Sequence, residues 1–396
     1  MRRSRRERGQ PVVIVIATAF VVVPALGVLG TYLYGVPYVG LTTAYVPQFV
    51  VWLLLASLAG GGLALYRWWH RRDLYSMAVV MLAVVTVVGA GVITGRMTAA
   101  VDRAGADISL FDAFGVGVAK SAVPDADVVY SAFDGGPLSL SIFRPPGVTA
   151  ASTAPVLVYI HGGGWVSGDR NAHSADLRWF ADQGWLTITV DYPLSDGQRH
   201  LWNLTQNHIG CALAWVAVNA GKYGGDPNRL ALSGDSAGGN LAINAAYLAA
   251  GGALPSTCGG RVPVVRAVSV LYPVVDPAGF YANPDPALGG ASRDMAGAYT
   301  GGSPQQFPDR YTAITSGSYL SRLSPPTLMI VGAADHLVPV AGAYRFAEVA
   351  RAAGVDVKLV AVPYADHVFD GRPGSIGQQA YRQLTAQWLR AHGLAP

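Results

Sequence analysis

Three uncharged apolar stretches follow one another at the start of this chain, roughly Val12 to Tyr34, Val46 to Tyr66 and Leu74 to Thr94. Each holds about 20 residues, and at about 1.5 Å per residue a helix of that length matches the ~30 Å hydrocarbon core of a bilayer. Lipid offers the backbone no hydrogen-bond partner, so such stretches become helices despite their Val and Gly content. Three in succession, flanked by arginines and tyrosines, fit membrane spans better than buried core helices. They carry no Asp, Glu, Lys, Arg or His, so a transport path through them has no sequence support.

Composition agrees: 51% of the residues are hydrophobic and only 13% are charged, which exceeds the balance usual for a soluble domain. The net charge of +4 is local, because residues 1–120 hold 11 Lys and Arg against 5 Asp and Glu. The remainder is slightly acidic, and no basic groove with interleaved aromatics points to nucleic acid. Arg2, Arg3, Arg5, Arg6 and Arg8 precede the first stretch, and Arg67, Arg71 and Arg72 lie between the second and third. The arginine-rich segments belong on the cytoplasmic side. An odd number of spans then puts everything after about Arg96 outside the cytoplasm. A cleaved signal peptide would also begin with arginines, but its apolar segment is shorter and two more spans follow here.

From about Val128 the pattern changes. Val156–Ile160, Leu186–Val190, Leu230–Ser233, Val264–Leu271, Thr327–Val331 and Val357–Val362 are continuous apolar runs, as expected of strands buried on both faces of a parallel sheet. Helical segments are predicted between them, over 172–183, 202–222, 237–250, 340–353 and 375–391. The alternation predicts a doubly wound, mostly parallel α/β sheet preceded by three transmembrane helices. Val128–Tyr130 and Leu138–Phe143 form an opening hairpin across Asp134-Gly-Gly. The expected organisation is a membrane domain over 1–100, a linker over 101–125 and a catalytic domain over 126–396. A Gly-, Pro- and Ser-rich insertion at about 273–325 is either a wall over the carboxyl edge of the sheet or a surface excursion.

Gly234-Asp235-Ser236-Ala237-Gly238 lies directly between a predicted strand and a predicted helix. Small residues there allow the strained turn that lifts a serine hydroxyl clear of the backbone, so Ser236 is the candidate nucleophile. His161-Gly162-Gly163-Gly164-Trp165 follows another strand. Its glycines let backbone N–H groups approach a reacting oxygen, and Gly163, Gly164 and Ala237 are the candidate oxyanion donors. A phosphate cradle is the alternative, but no Gly-Lys-Ser/Thr or Gly-x-Gly-x-x-Gly pattern accompanies the run.

A serine needs a base, and the base needs a carboxylate to fix its tautomer. Asp335 and His367 each follow a predicted strand, in the order Ser, acid, His, and are the candidates. His336 and His392 read as solvated side chains, Asp366 adjoins His367 too closely to reach around its ring, and Asp276 follows the wrong strand. Cys211 and Cys258 are the only cysteines, too few for a Cys-based metal site and without Cys-x-x-Cys or His-x-x-x-His spacing. They could bond to one another, or Cys211 could be a buried thiol.

The motifs at His161–Trp165, Gly225–Leu241, Gly332–Pro339 and Asp366–Phe369 resemble those of hormone-sensitive-lipase-like and related carboxylesterases of the α/β-hydrolase fold, over roughly residues 125–392. Gly301-Gly-Ser-Pro and Pro308-Asp-Arg-Tyr311 are more similar to feruloyl-esterase and kynurenine-formamidase-like members. The resemblance implies hydrolysis of carboxylic esters through an acyl-enzyme, without a cofactor or metal. Acyl transfer and amide hydrolysis use the same residues, and a binding module on a hydrolase fold is the non-enzymatic alternative. The spans suggest a small or lipid-like ester met at the membrane.

Overall fold

The structure, a computed structural model, describes residues 2–147 and 153–396, with side chains from residue 12 onward. The contacts divide the chain into two compact units, Met1–Val118 with Val362–Ala380, and Ala119–Ala361 with Tyr381–Pro396. Residues 362–380 thus group with the N-terminal helices rather than with the sheet.

The first unit contains α1 (Arg2–Tyr32), α2 (Val46–Arg71) and α3 (Leu74–Ala104). Val12–Tyr32, Val46–Arg71 and Leu74–Ala104 are long and apolar enough to cross a membrane. The helices do not stop where the apolar stretches do. α2 runs on to Arg71, and α3 continues ten residues past Thr94 to a cap at Gly105 with φ 115°. Loss of apolar character limits a membrane span, whereas a helix ends where its hydrogen bonding is capped. Asp73 caps the start of α3 by accepting from the Ser76 amide at 2.9 Å.

Close approach holds the three helices together. A Cβ at Gly60 would stand 2.8 Å from the Ala17 carbonyl oxygen, and one at Gly61 would stand 2.8 Å from the Cβ of Ala83. Small residues at crossings let backbones come near, which is how helices associate where the surroundings are as apolar as their side chains. Ile14, Ala17, Val21, Ala64, Val79 and Ala83 fill the centre, while Val15, Leu58, Val85 and Val88 point outward and are exposed.

The second unit is built on an eight-stranded sheet. In chain order its elements are β1 (Ala126–Phe133), β2 (Gly136–Phe143), β3 (Ala154–Ile160), α4 (Ser174–Asp182), β4 (Leu186–Val190), α5 (Thr205–Asn219), β5 (Gly225–Asp235), α6 (Ser236–Ala250) and β6 (Val265–Leu271). Then come α7 (Pro277–Tyr281), α8 (Gly289–Thr300), α9 (Pro308–Ile314), β7 (Thr327–Gly332), α10 (Ala341–Ala352), β8 (Val357–Val362) and α11 (Ile376–Ala391). The strand order is β1-β2-β4-β3-β5-β6-β7-β8. The β1 and β2 pairings are antiparallel, and those from β4 through β3, β5 and β6 to β7 are parallel. Asp134 and Gly135 turn the opening hairpin at φ 50° and 76°, the left-handed pair that suits the twist of its strands. Every residue of β3 and β4 is buried, which accounts for their unbroken apolar sequences.

Residues 273–325 are folded as α7, α8 and α9. Their Gly and Pro content concealed these short helices, two of which have Pro in the first turn, where its missing N–H costs nothing. A disulfide joins Cys211 on α5 to Cys258 after α6, with Cα atoms 5.1 Å apart. Cys258→Ser should lower the free energy of unfolding by about 2–4 kcal/mol in denaturant titrations. Thiol titration of the unreduced, denatured protein should find none; two thiols would show the reduced state.

Candidate active site

β5 ends at Asp235 and α6 begins at Ser236, with no residue between them. Ser236 lies at φ 51°, a left-handed conformation that a non-glycine residue holds only when its surroundings enforce it. The enforcement is steric. A Cβ at Gly238 would stand 2.1 Å from the Ile160 carbonyl oxygen and 2.3 Å from that of His161, and one at Gly234 would stand 2.6 Å from the Ile160 oxygen. The elbow therefore fits against the end of β3 only with glycine on both sides of the serine.

The segment following β3 is bound to the same elbow. The Asp235 carboxylate accepts from the Gly162 amide and from the Tyr159 hydroxyl, both at 2.7 Å. Burial, with the Asp235 charge adding to it, pushes the Tyr159 hydroxyl well above its ordinary pKa, so it remains a proton donor. Behind Asp235, His173 Nε2 lies 4.0 Å away while its Nδ1 is 3.1 Å from Asp176, whose other oxygen accepts from Arg382 at 2.6 Å. Burial alone would raise the Asp176 pKa, but the His173 hydrogen bond and the Arg382 charge outweigh it and hold the carboxyl below its usual range.

Gly163 and Gly164 have φ of 110° and 61°. A Cβ at Gly163 would meet the Ser167 carbonyl oxygen at 2.1 Å, and one at Gly164 would meet Met295 Sδ at 2.2 Å. Trp165 is fully buried, stacked 4.6 Å from Tyr299 and edge-on to Phe280. Phe280 belongs to α7 and Met295 and Tyr299 to α8, so the insertion packs directly on the glycine loop. Ala237 is also fully buried.

His161 stacks on Tyr192 at 4.3 Å, and the Tyr192 hydroxyl donates to the His161 carbonyl at 2.8 Å. Its Nδ1 is 2.7 Å from the Gly162 carbonyl oxygen, which it can only approach as a donor. Asp191 accepts from the Arg170 guanidinium at 2.7 Å and from its amide at 3.2 Å, closing the loop from the other end. Sequence reasoning assigned no role to Asp191, Arg170, Tyr159, Tyr192 or Met295. Their partners are remote in the chain, and no local spacing announces them.

Asp335 follows β7 and accepts from the amides of Leu337 and Val338 at 3.0 and 2.8 Å, which fixes its carboxylate. His367 is buried in the segment after β8, and its amide donates to Asp366 at 2.7 Å. It belongs to the first unit, whereas Ser236, Asp335 and the glycine loop belong to the second. Among the rivals, His392 lies 3.2 Å from Asp356, and Asp276 caps α7 and pairs with Arg345 at 2.6 Å. The His336 carbonyl accepts from Asn283 at 2.8 Å. A cavity of about 180 Å³ lies between α5, α6 and the insertion, with Trp202, Asn240, Asn244 and Tyr299 in its lining.

Sheet, elbow and glycine loop together define an α/β hydrolase. The fold is shared with esterase 2 of Thermogutta terrifontis, solved in a form phosphonylated by sarin, at TM-score 0.59 and 24% identity over 69% of this chain and 97% of that one. The BD-FAE family model matches residues 140–349, and the chain belongs to that family, as a carboxylesterase relative of the hormone-sensitive-lipase-like kind. Ethyl acetate hydrolase of Pseudomonas putida is 30% identical over 66% of this chain and 80% of its own length. Esterase LipQ of Mycobacterium tuberculosis is 30% identical over 58% of this chain, which spans only 54% of that relative.

Burial lowers the His161 pKa below its ordinary value. The unfolded chain therefore binds this proton more readily, so the contribution is complete above pH ~6.5 and is lost as pH falls below that value toward the folded pKa. His161→Gln should flatten the decline in stability between about pH 7 and 5, measured as denaturation midpoints against wild type. Parallel curves would assign the acid sensitivity elsewhere.

Proposed function

We propose that this chain is a serine hydrolase of carboxylic esters, held at a membrane by α1, α2 and α3. The observation that carries the reading is Ser236, held at φ 51° at the strand-to-helix junction, with the glycine loop bound to it through Asp235. Ser236 Oγ attacks the ester carbonyl carbon while His367 takes its proton. The oxyanion is received by the amides of Gly163, Gly164 and Ala237. The tetrahedral intermediate collapses by breaking the bond to the alcohol, which leaves with the proton from His367. Water, deprotonated by His367, then attacks the acyl-enzyme, and the carboxylate departs as the proton returns to Ser236.

Asp335, with its carboxylate fixed by two amides, orients the imidazole and stabilises its charged form. The chain order Ser, Asp, His, each residue following a separate strand, supports this assignment, as do the relatives named for ester hydrolysis. Nothing in the chemistry needs a cofactor.

The arginines in the first turns of α1 and those at the end of α2, Arg67, Arg71 and the adjoining Arg72, support a cytoplasmic N-terminus and an extracytoplasmic catalytic domain. A disulfide suits that compartment. The outward apolar surface of the helices favours a substrate that partitions into the bilayer, such as an amphiphilic ester.

Ser236→Ala should lower turnover of a p-nitrophenyl ester by about 10⁴-fold with an unchanged melting curve, because members of a triad act as a unit. Full activity in this variant would overturn the scheme. Protease added to intact spheroplasts should digest the catalytic domain. Protection until lysis would reverse the orientation.

A further inference from the structure

The segment that carries His367 is packed against the three N-terminal helices. Thr43, in the turn Gly40–Ala44 between α1 and α2, places its hydroxyl 2.7 Å from Asp366 Oδ2. The other carboxylate oxygen, Oδ1, accepts from the His367 amide at 2.7 Å. Thr43 Oγ is equally close to the Gly40 carbonyl. A hydroxyl has one proton to give, and the charged acceptor makes the stronger bond. Thr43 and Asp366 are each 1% exposed, so the contact is shielded from bulk solvent.

Further contacts hold the same segment. Arg96 of α3 donates to the Tyr364 hydroxyl at 2.9 Å, and Tyr32 at the end of α1 meets the Tyr364 ring edge-on at 5.5 Å. Arg372 donates to the carbonyls of Gln48 and Ala113 at 2.9 and 2.6 Å and lies over the Phe49 ring. Gln379 exchanges hydrogen bonds with the Ser109 backbone in both directions. Within this frame Tyr364 and Val368 have φ of 61° and 55°. Two non-glycine residues in the left-handed region, one on each side of Asp366 and His367, need surroundings that over-determine them.

We propose that Thr43 is a positioning residue for the hydrolytic reaction, acting through the Asp366 carboxylate to fix the backbone from which His367 projects. The transmembrane helices would then form part of the catalytic apparatus as well as an anchor. The inference rests on the assignment of His367 as general base. Misplacement of a catalytic group by as little as 1 Å can cost on the order of 10²-fold in rate, so loss of this one hydrogen bond is expected to act on kcat.

The test uses the full-length protein in detergent or lipid, with a short p-nitrophenyl ester and with a fluorophosphonate that labels the nucleophile. Thr43→Val, which keeps the shape and removes the hydroxyl, should lower kcat at least tenfold and slow labelling to the same degree, with KM and the melting temperature little changed. Thr43→Ser should restore both rates. Thr42→Val, in the same turn, should behave as wild type. If Thr43→Val keeps the wild-type kcat while His367→Ala is inactive, the positioning role fails and the general base stands. A fully active His367→Ala would overturn the underlying mechanism. A fall in kcat that follows a lowered melting temperature, and is not rescued by serine, would reduce Thr43 to a packing residue.

Discussion

The carbonyl oxygens of Ile160 and His161 sit so near the backbone of Gly238 that a single added carbon there would lie 2.1 and 2.3 Å from them. This approach fixes the start of α6 against the end of β3, and the left-handed Ser236 is its outcome. Asp235 adds the polar half of the arrangement, because a carboxylate accepting from Gly162 and Tyr159 turns a steric fit into a directional one. The parallel strands, buried on both faces, supply the rigid edge that makes such precision possible.

Much of this was legible in the chain. Continuous apolar strands, helical segments between them and glycines at the elbow each follow from local physics, and the segments containing Ser236 and Gly162–Gly164 fell where their flanking elements required. The hidden parts depend on contacts between distant residues. Arg382 meets Asp176 across 206 positions and Thr43 meets Asp366 across 323. No periodicity encodes such pairs. The helices of residues 273–325 escaped because Pro and Gly lower intrinsic propensity, whereas packing of Trp165 on Tyr299 and Phe280 supplies the stabilisation that propensity lacks.

The N-terminal bundle follows different rules from the sheet. Its centre is made of Ile14, Ala17, Val21, Ala64, Val79 and Ala83, and large apolar side chains such as Val15, Leu58, Val85 and Val88 stand on its outer surface. Water would penalise such an exterior. A bilayer would not, and in such surroundings helices associate by how near their backbones can come, as they do at Gly60 and Gly61.

The grouping of residues 362–380 with the helices has a practical meaning for anyone dissecting this protein. A natural boundary in the sequence, such as the cap at Gly105, is not a boundary in the packing. Cutting there to obtain a shorter fragment would take Arg96 from Tyr364, Thr43 from Asp366 and Gln48 from Arg372. A buried carboxylate would have to be hydrated, and two left-handed residues would lose the walls that hold them. Such a fragment could keep its sheet and its nucleophile and still report kinetics that belong to the truncation.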